Sequence, residues 1–127
     1  MKKQTSNLYE VKLYLGSVER GEVSVIRHWS KESLISEIGL FQKKYKIAVP
    51  VRVTGTTFVC NDYTEDGWEV VAISYPRTNH SYKQTKDFML SLGEHLLRVF
   101  GQSRICVLAD YGGWKSKVYM LENNDDN

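Results

Sequence analysis

Apolar and polar positions alternate in some stretches of the chain and recur every three to four residues in others. Tyr9, Val11, Leu13 and Leu15 alternate with Leu8, Glu10, Lys12 and Tyr14. Successive side chains of a strand point to opposite faces, so residues 8–15 predict a half-buried strand. Gly16 to Gly21 reads as a turn, and Glu22 to Ile26 as a second strand or an extension of the first. Leu34, Ile38, Phe41 and Tyr45 then fall on one face of a helix over residues 30–45. Ser30 is its N-cap, with Trp29 placed to staple against Leu34. Lys43, Lys44 and Lys46 suit the negative end of its dipole.

Residues 48–60, rich in Val and Thr, predict a strand, and Asn61 to Gly67 a polar hairpin turn. Trp68 to Tyr75 is the next strand, stopped by Pro76. Ser81 and Gln84 form a capping box at the start of a second helix. Phe88, Leu92, Leu96 and Val99 line that helix, and Gly101 ends it. Arg104–Ala109 and Lys117–Leu121 are strands around the turn from Asp110 to Trp114. The order predicts an α+β fold, an antiparallel sheet with two helices on one face in an extended ferredoxin-like (split βαβ) plan. Both helices are expected to begin at the same end of the sheet. One domain over 8–122 is expected, with a disordered N-terminus (1–7) and an acidic disordered tail (123–127). The strand from Trp68 to Tyr75 is apolar on both faces. That predicts a covered second face and a homo-oligomer, or else a central strand beneath a twisted loop.

Composition narrows the class. The chain has 127 residues, enough for one core without staples. Seventeen basic residues against 15 acidic ones leave a net charge of +2, too small an excess for a dedicated binder of long nucleic acid. No apolar run is long enough for a membrane span, and no secretory leader is visible behind Met1-Lys2-Lys3, so a cytoplasmic protein is expected. Cys60 and Cys106 lack metal-type spacing and read as buried free thiols. No metal or cofactor is expected.

Candidate chemistry gathers at the predicted helix starts, where free N–H groups favour anions. Arg27, His28 and Lys31 surround the first, and Arg77, His80, Lys83 and Lys86 the second. In the connecting segment Tyr75 can stack on a base, Arg77 can grip phosphate as a fork, and Asn79 can bond a base edge or ribose. Arg52 and Arg104 lie on strands where either can reach an anion, or pair with a carboxylate such as Glu69. Asn79-His80-Ser81 matches a glycosylation sequon by chance, and Glu65-Asp66 reads as a solvated turn. No nucleophile elbow, phosphate loop or dinucleotide fingerprint is present.

The stretches Gly67-Trp68-Glu69-Val70-Val71, Tyr75-Pro76-Arg77 and Ser103-Arg104-Ile105-Cys106-Val107, with the element order, resemble the small phage sponge proteins of the anti-Thoeris type. That resemblance implies an oligomeric, non-enzymatic protein that sequesters a cyclic ADP-ribose isomer or cyclic oligonucleotide. The ligand residues expected on this reading are Tyr75, Arg77, Asn79, Lys83, Arg104 and Arg52, with no catalytic residue. A protein-interaction module that inhibits a host enzyme and a small phosphate-ester hydrolase are the alternatives.

Overall fold

The computed structural model describes residues 1–3, 5, 8–16, 18–19, 27–47, 49–75, 80–112 and 116–122, with backbone alone for Val18, Glu19, Arg27, His28, Cys60 and Tyr63. The expected strand at 22–26, the ligand residues Arg77 and Asn79, and the tail at 123–127 lie outside the described residues.

The elements run β1 (Glu10–Gly16), β2 (Val18–Glu19), β3 (Arg27–His28), α1 (Lys31–Lys44), β4 (Arg52–Cys60), β5 (Tyr63–Ile73), α2 (Tyr82–Val99), β6 (Arg104–Asp110) and β7 (Lys117–Glu122). Five strands form one antiparallel sheet in the order β4-β5-β1-β6-β7, and β2 pairs with β3 in a separate ladder. This is the split βαβ plan extended by β7 along one edge. Among the described residues no helix is long and apolar enough to cross a membrane.

The period-two pattern of β1 sets the two faces of the sheet. Val11, Leu13 and Leu15 are buried beneath the helices. Register places Ala72, Val70 and Trp68 beside them on β5, and Ala109 and Val107 on β6. Leu34 and Ile38 of α1 close this core with Phe88, Met89, Leu92 and Leu96 of α2. Phe41 and Tyr45 pack on Phe88 at 5.5 and 5.1 Å, joining the helices where their apolar stripes meet. Aromatic pairs at such spacing add to the burial of area alone.

The caps follow the sequence closely. The Ser30 hydroxyl accepts from the Ser33 N–H at 3.1 Å. At α2 the capping box is complete, with the Gln84 N–H donating to Ser81 Oγ at 3.0 Å and the Ser81 N–H to Gln84 Oε1 at 2.9 Å. Gly101 sits in the left-handed region (φ 58), the Gln102 N–H donates to the Leu97 carbonyl at 3.0 Å, and the Gly101 N–H reaches Arg98 O at 3.4 Å. This is a Schellman ending. Trp29 meets the other end of the chain, with its ring edge-on to Phe100 at 4.6 Å and its indole N–H donating to Phe100 O at 3.1 Å.

Two expectations are corrected. The hairpin between β4 and β5 turns on Asn61 and Asp62 alone, with Cys60 and Tyr63 in register, so residues 63–67 belong to β5. Asn61 tolerates the positive φ of 55 that a two-residue loop requires. The helices also do not begin at one end. Trp29 beside Phe100 and Glu37 beside His95 show α1 and α2 running antiparallel. In an all-antiparallel sheet β1 and β5 point opposite ways, so the helices that follow by return crossings point opposite ways as well. The two basic helix starts therefore lie at opposite ends of the sheet.

Candidate functional site

The face away from the helices carries the even positions of β1: Glu10, Lys12, Tyr14 and Gly16. At the Gly16 end, register puts Glu69 opposite Tyr14 and Gly67 opposite Gly16 on β5, with Phe58 of β4 opposite Glu65. On the other side Cys106 of β6 faces Tyr14, and Arg104 opens that strand. Tyr14, Glu69, Phe58, Glu65 and Arg104 thus share one end of one face.

Glycines make the room. A Cβ on Gly16 would collide with the Glu65 carboxylate, so that carboxylate lies directly over the end of β1. A Cβ on Gly67 would lie 2.5 Å from both the Leu15 carbonyl oxygen and the Phe58 ring, so Phe58 folds over bare backbone. Its ring stands edge-on to Tyr14 at 6.3 Å and stays 37% exposed. A cavity of about 250 Å³ opens here, lined by Gly16, Phe58, Glu65, Gln102, Ser103 and Arg104.

The electrostatics are uneven. Burial first, then the Glu69 charge and a hydrogen bond to it, push the Tyr14 phenol above its ordinary value. Tyr14 therefore stays protonated at neutral pH and donates to the carboxylate. Lys12 pairs with Glu10 at 3.0 Å one step further along the face. Burial pushes the Cys106 thiol up, so it is held as thiol and is a poor nucleophile. Among the described residues no group of three His, Cys, Asp or Glu side chains is placed to hold a metal ion.

Of the six expected ligand residues, the four that are described scatter. Arg104 lines the cavity. Tyr75, 49% exposed, follows β5 at the opposite end of the sheet, about 26 Å away along the strands. Lys83 is at that far end too, in the first turn of α2, and its ammonium pairs with Asp87 at 2.7 Å. Arg52 lies on the edge strand β4 opposite Val71, while Glu69 faces Thr54 and Tyr14. A single copy of the chain does not bring these four residues into one pocket. Tyr111, in the turn after β6, packs on Tyr82 at 4.5 Å and Tyr9 at 6.3 Å.

Sequence reasoning missed Glu65, Glu69, Tyr14 and Phe58 as a group. Glu65, which the sequence pattern reads as a turn, belongs to a strand whose alternation aims it at Gly16. The available signal was Gly16 and Gly67 in neighbouring strands, since bare backbone side by side clears space above a sheet.

No family model matches the chain, and no curated protein matches it in sequence. In structure it is similar to a phage SAM lyase in complex with S-methyl-5′-thioadenosine, with TM-score 0.71 and 14% identity over 100% of this chain and 98% of that one. The same phage enzyme in its apo state aligns with TM-score 0.71 and 14% identity over 98% and 97%. At that identity the likeness establishes the fold. It also corrects the expectation of a non-enzymatic cyclic-nucleotide sponge, because these end-to-end neighbours are structures of an enzyme, and no family match supports the anti-Thoeris resemblance.

Proposed function

We propose that the chain is an enzyme that cleaves S-adenosylmethionine to S-methyl-5′-thioadenosine, using the open sheet face at the Gly16 end. One observation carries this reading. On a fold shared with a SAM lyase, a carboxylate (Glu69), a protonated phenol (Tyr14) and an aryl ring (Phe58) converge beside a glycine-cleared cavity. The substrate's sulfonium is a permanent cation. Carboxylates attract it through charge, and ring faces through their quadrupole.

The chemistry suits such a site. The bond between the sulfonium sulfur and the aminobutyrate arm breaks, and its electron pair returns to sulfur, which becomes a neutral thioether. The arm makes good its lost bond internally, by closing on its own carboxylate or by losing a proton from the neighbouring carbon. No water is consumed. Glu69, with Tyr14 fixing its orientation, is the group placed to hold the cation and to act as base. Lys12 makes its ion pair with Glu10, at 3.0 Å.

The phage origin of the neighbours fits an anti-defence role of the kind the resemblance implied, carried here by destruction of a nucleoside-derived metabolite. A cytoplasmic setting and a homo-oligomer both suit this reading. Ile73, Val118 and Met120, exposed at 42%, 67% and 50% on the same face, offer apolar area to a second copy.

The test is incubation of the purified chain with S-adenosylmethionine and chromatography of the products. S-methyl-5′-thioadenosine is expected, with Glu69→Gln slower by about 100-fold, as for a positioned acid–base group, and Tyr14→Phe by about 10-fold, the size of one lost hydrogen bond. Intact substrate after prolonged incubation with folded protein would overturn the proposal.

A further inference from the structure

The cavity beside the Tyr14–Glu69 pair has a polarity of its own. Acceptors gather over Gly16: the Glu65 carboxylate rests there, and Gln102, 5% exposed, has Oε1 only 3.5 Å from where a Gly16 Cβ would be. The Gln102 amide is fixed from behind, its Nε2–H donating to Phe100 O at 3.2 Å. The lining also holds donors, the Ser103 hydroxyl and the five N–H groups of Arg104, which opens β6 on the side of β1 away from β5. A lining that holds both a carboxylate and a guanidinium fits a zwitterion.

We infer that this cavity takes the α-amino-acid head of the substrate, with Arg104 on its carboxylate and Glu65 on its ammonium. The inference rests on the S-adenosylmethionine reading and deepens it, making Arg104 and Glu65 the determinants of specificity. Dimensions agree. Gly67 lies two strand residues from Glu69, about 7 Å. Three carbon–carbon steps from the sulfur-bearing carbon to the carboxylate span about 4–5 Å, so a sulfonium near Glu69 puts its head in the cavity. The volume of about 250 Å³ suits an amino-acid head and leaves the nucleoside on the open face. Arginine matches a carboxylate as a two-pronged fork, which lysine does not reproduce.

The test uses two non-reacting probes with the full chain in calorimetric titration. S-adenosylhomocysteine carries the amino-acid head, and S-methyl-5′-thioadenosine lacks it. The wild type is expected to bind the former at least about 10-fold more tightly, a gain of the size that one or two charge-assisted bonds supply. Arg104→Ala and Glu65→Gln should each collapse that ratio towards one and leave the affinity for S-methyl-5′-thioadenosine within about twofold. Arg104→Lys, which keeps the charge, should restore only part of the ratio. A ratio unchanged in Arg104→Ala and Arg104→Lys, in protein that still cleaves S-adenosylmethionine, would overturn the inference and leave the activity standing. A wild type that neither cleaves the substrate nor binds either probe would overturn both.

Discussion

The Glu65 carboxylate rests on the α-carbon of Gly16, where any other residue would put its first side-chain carbon. The acid thus sits over one strand while rooted in its neighbour, and it closes one wall of the cavity. The same bare backbone at Gly67 lets Phe58 fold over β5.

Substituting these two glycines should separate function from stability. Gly16→Ala meets the far end of a flexible acid, which swings aside, so the fold is expected to hold while cleavage falls by about 10-fold or more. Gly67→Ala meets a backbone carbonyl and a ring, which yield less readily, and should cost about 1–3 kcal/mol as overpacking does. Thermal melts paired with product assays check both. Equal destabilisation by the two changes would show that Glu65 is not free to move.

The Tyr14 phenol should leave a mark only in strong alkali. Burial and the Glu69 charge hold its proton above the ordinary value of 10.0. Between that value and the folded one, the unfolded chain loses a proton that the folded chain keeps, so stability falls as pH rises through the window. Below pH 10 this group adds no pH dependence. Burial raises the Tyr82 phenol as well, so spectroscopic titration should show late-ionising tyrosines of which Tyr14→Phe lacks one, and chemical unfolding of that variant should fall less steeply above pH 10. Matching slopes in the two proteins would contradict the placement of Tyr14.

Ser81→Ala removes half of the α2 capping box. A loss of about 1 kcal/mol is expected, which lowers the melting temperature by about 3–5 °C in a domain of this size. Ser81 is at the end of the sheet opposite the cavity, so cleavage per folded molecule should stay unchanged.

The turn after β6 makes a prediction in acid. Ser116 Oγ donates to Asp110 at 2.7 Å and the Gly112 N–H donates at 3.1 Å, and these bonds hold the Asp110 carboxyl below its ordinary value of 3.8. The stabilisation is present above that value and is lost as pH falls through the lowered folded one. In Ser116→Ala the Asp110 resonance, followed by NMR, should titrate at higher pH than in the wild type. An unshifted titration would assign the effect elsewhere.

The legible parts of the sequence were those governed by local rules. Alternation in β1, the stripe from Leu34 to Tyr45, the capping box at Ser81 and the left-handed ending at Gly101 each depend on neighbours within a few residues. Together they led to the α+β plan and the two helices. What they could not give was direction in space. Placing the basic helix starts side by side required tracking how each crossing reverses the chain, and the antiparallel helices undo it. The site was hidden for a related reason. Tyr14, Glu69, Phe58 and Arg104 are brought together by strand register, and register is set by pairing across the sheet. Arg104 was singled out for its charge, and its companions are residues whose separate patterns resemble ordinary strand.

The Schellman turn at Gly101 delivers the chain from α2 straight into the cavity wall, as Gln102, Ser103 and Arg104 in succession. Each residue of a helix advances the chain by about 1.5 Å and rotates it by about 100°. The length of α2 is therefore a ruler for the wall: one residue more or fewer would change the phase in which those three side chains arrive. Variation in what the cavity accepts would come more readily from exchanging residues 102–104 than from lengthening the helix that presents them.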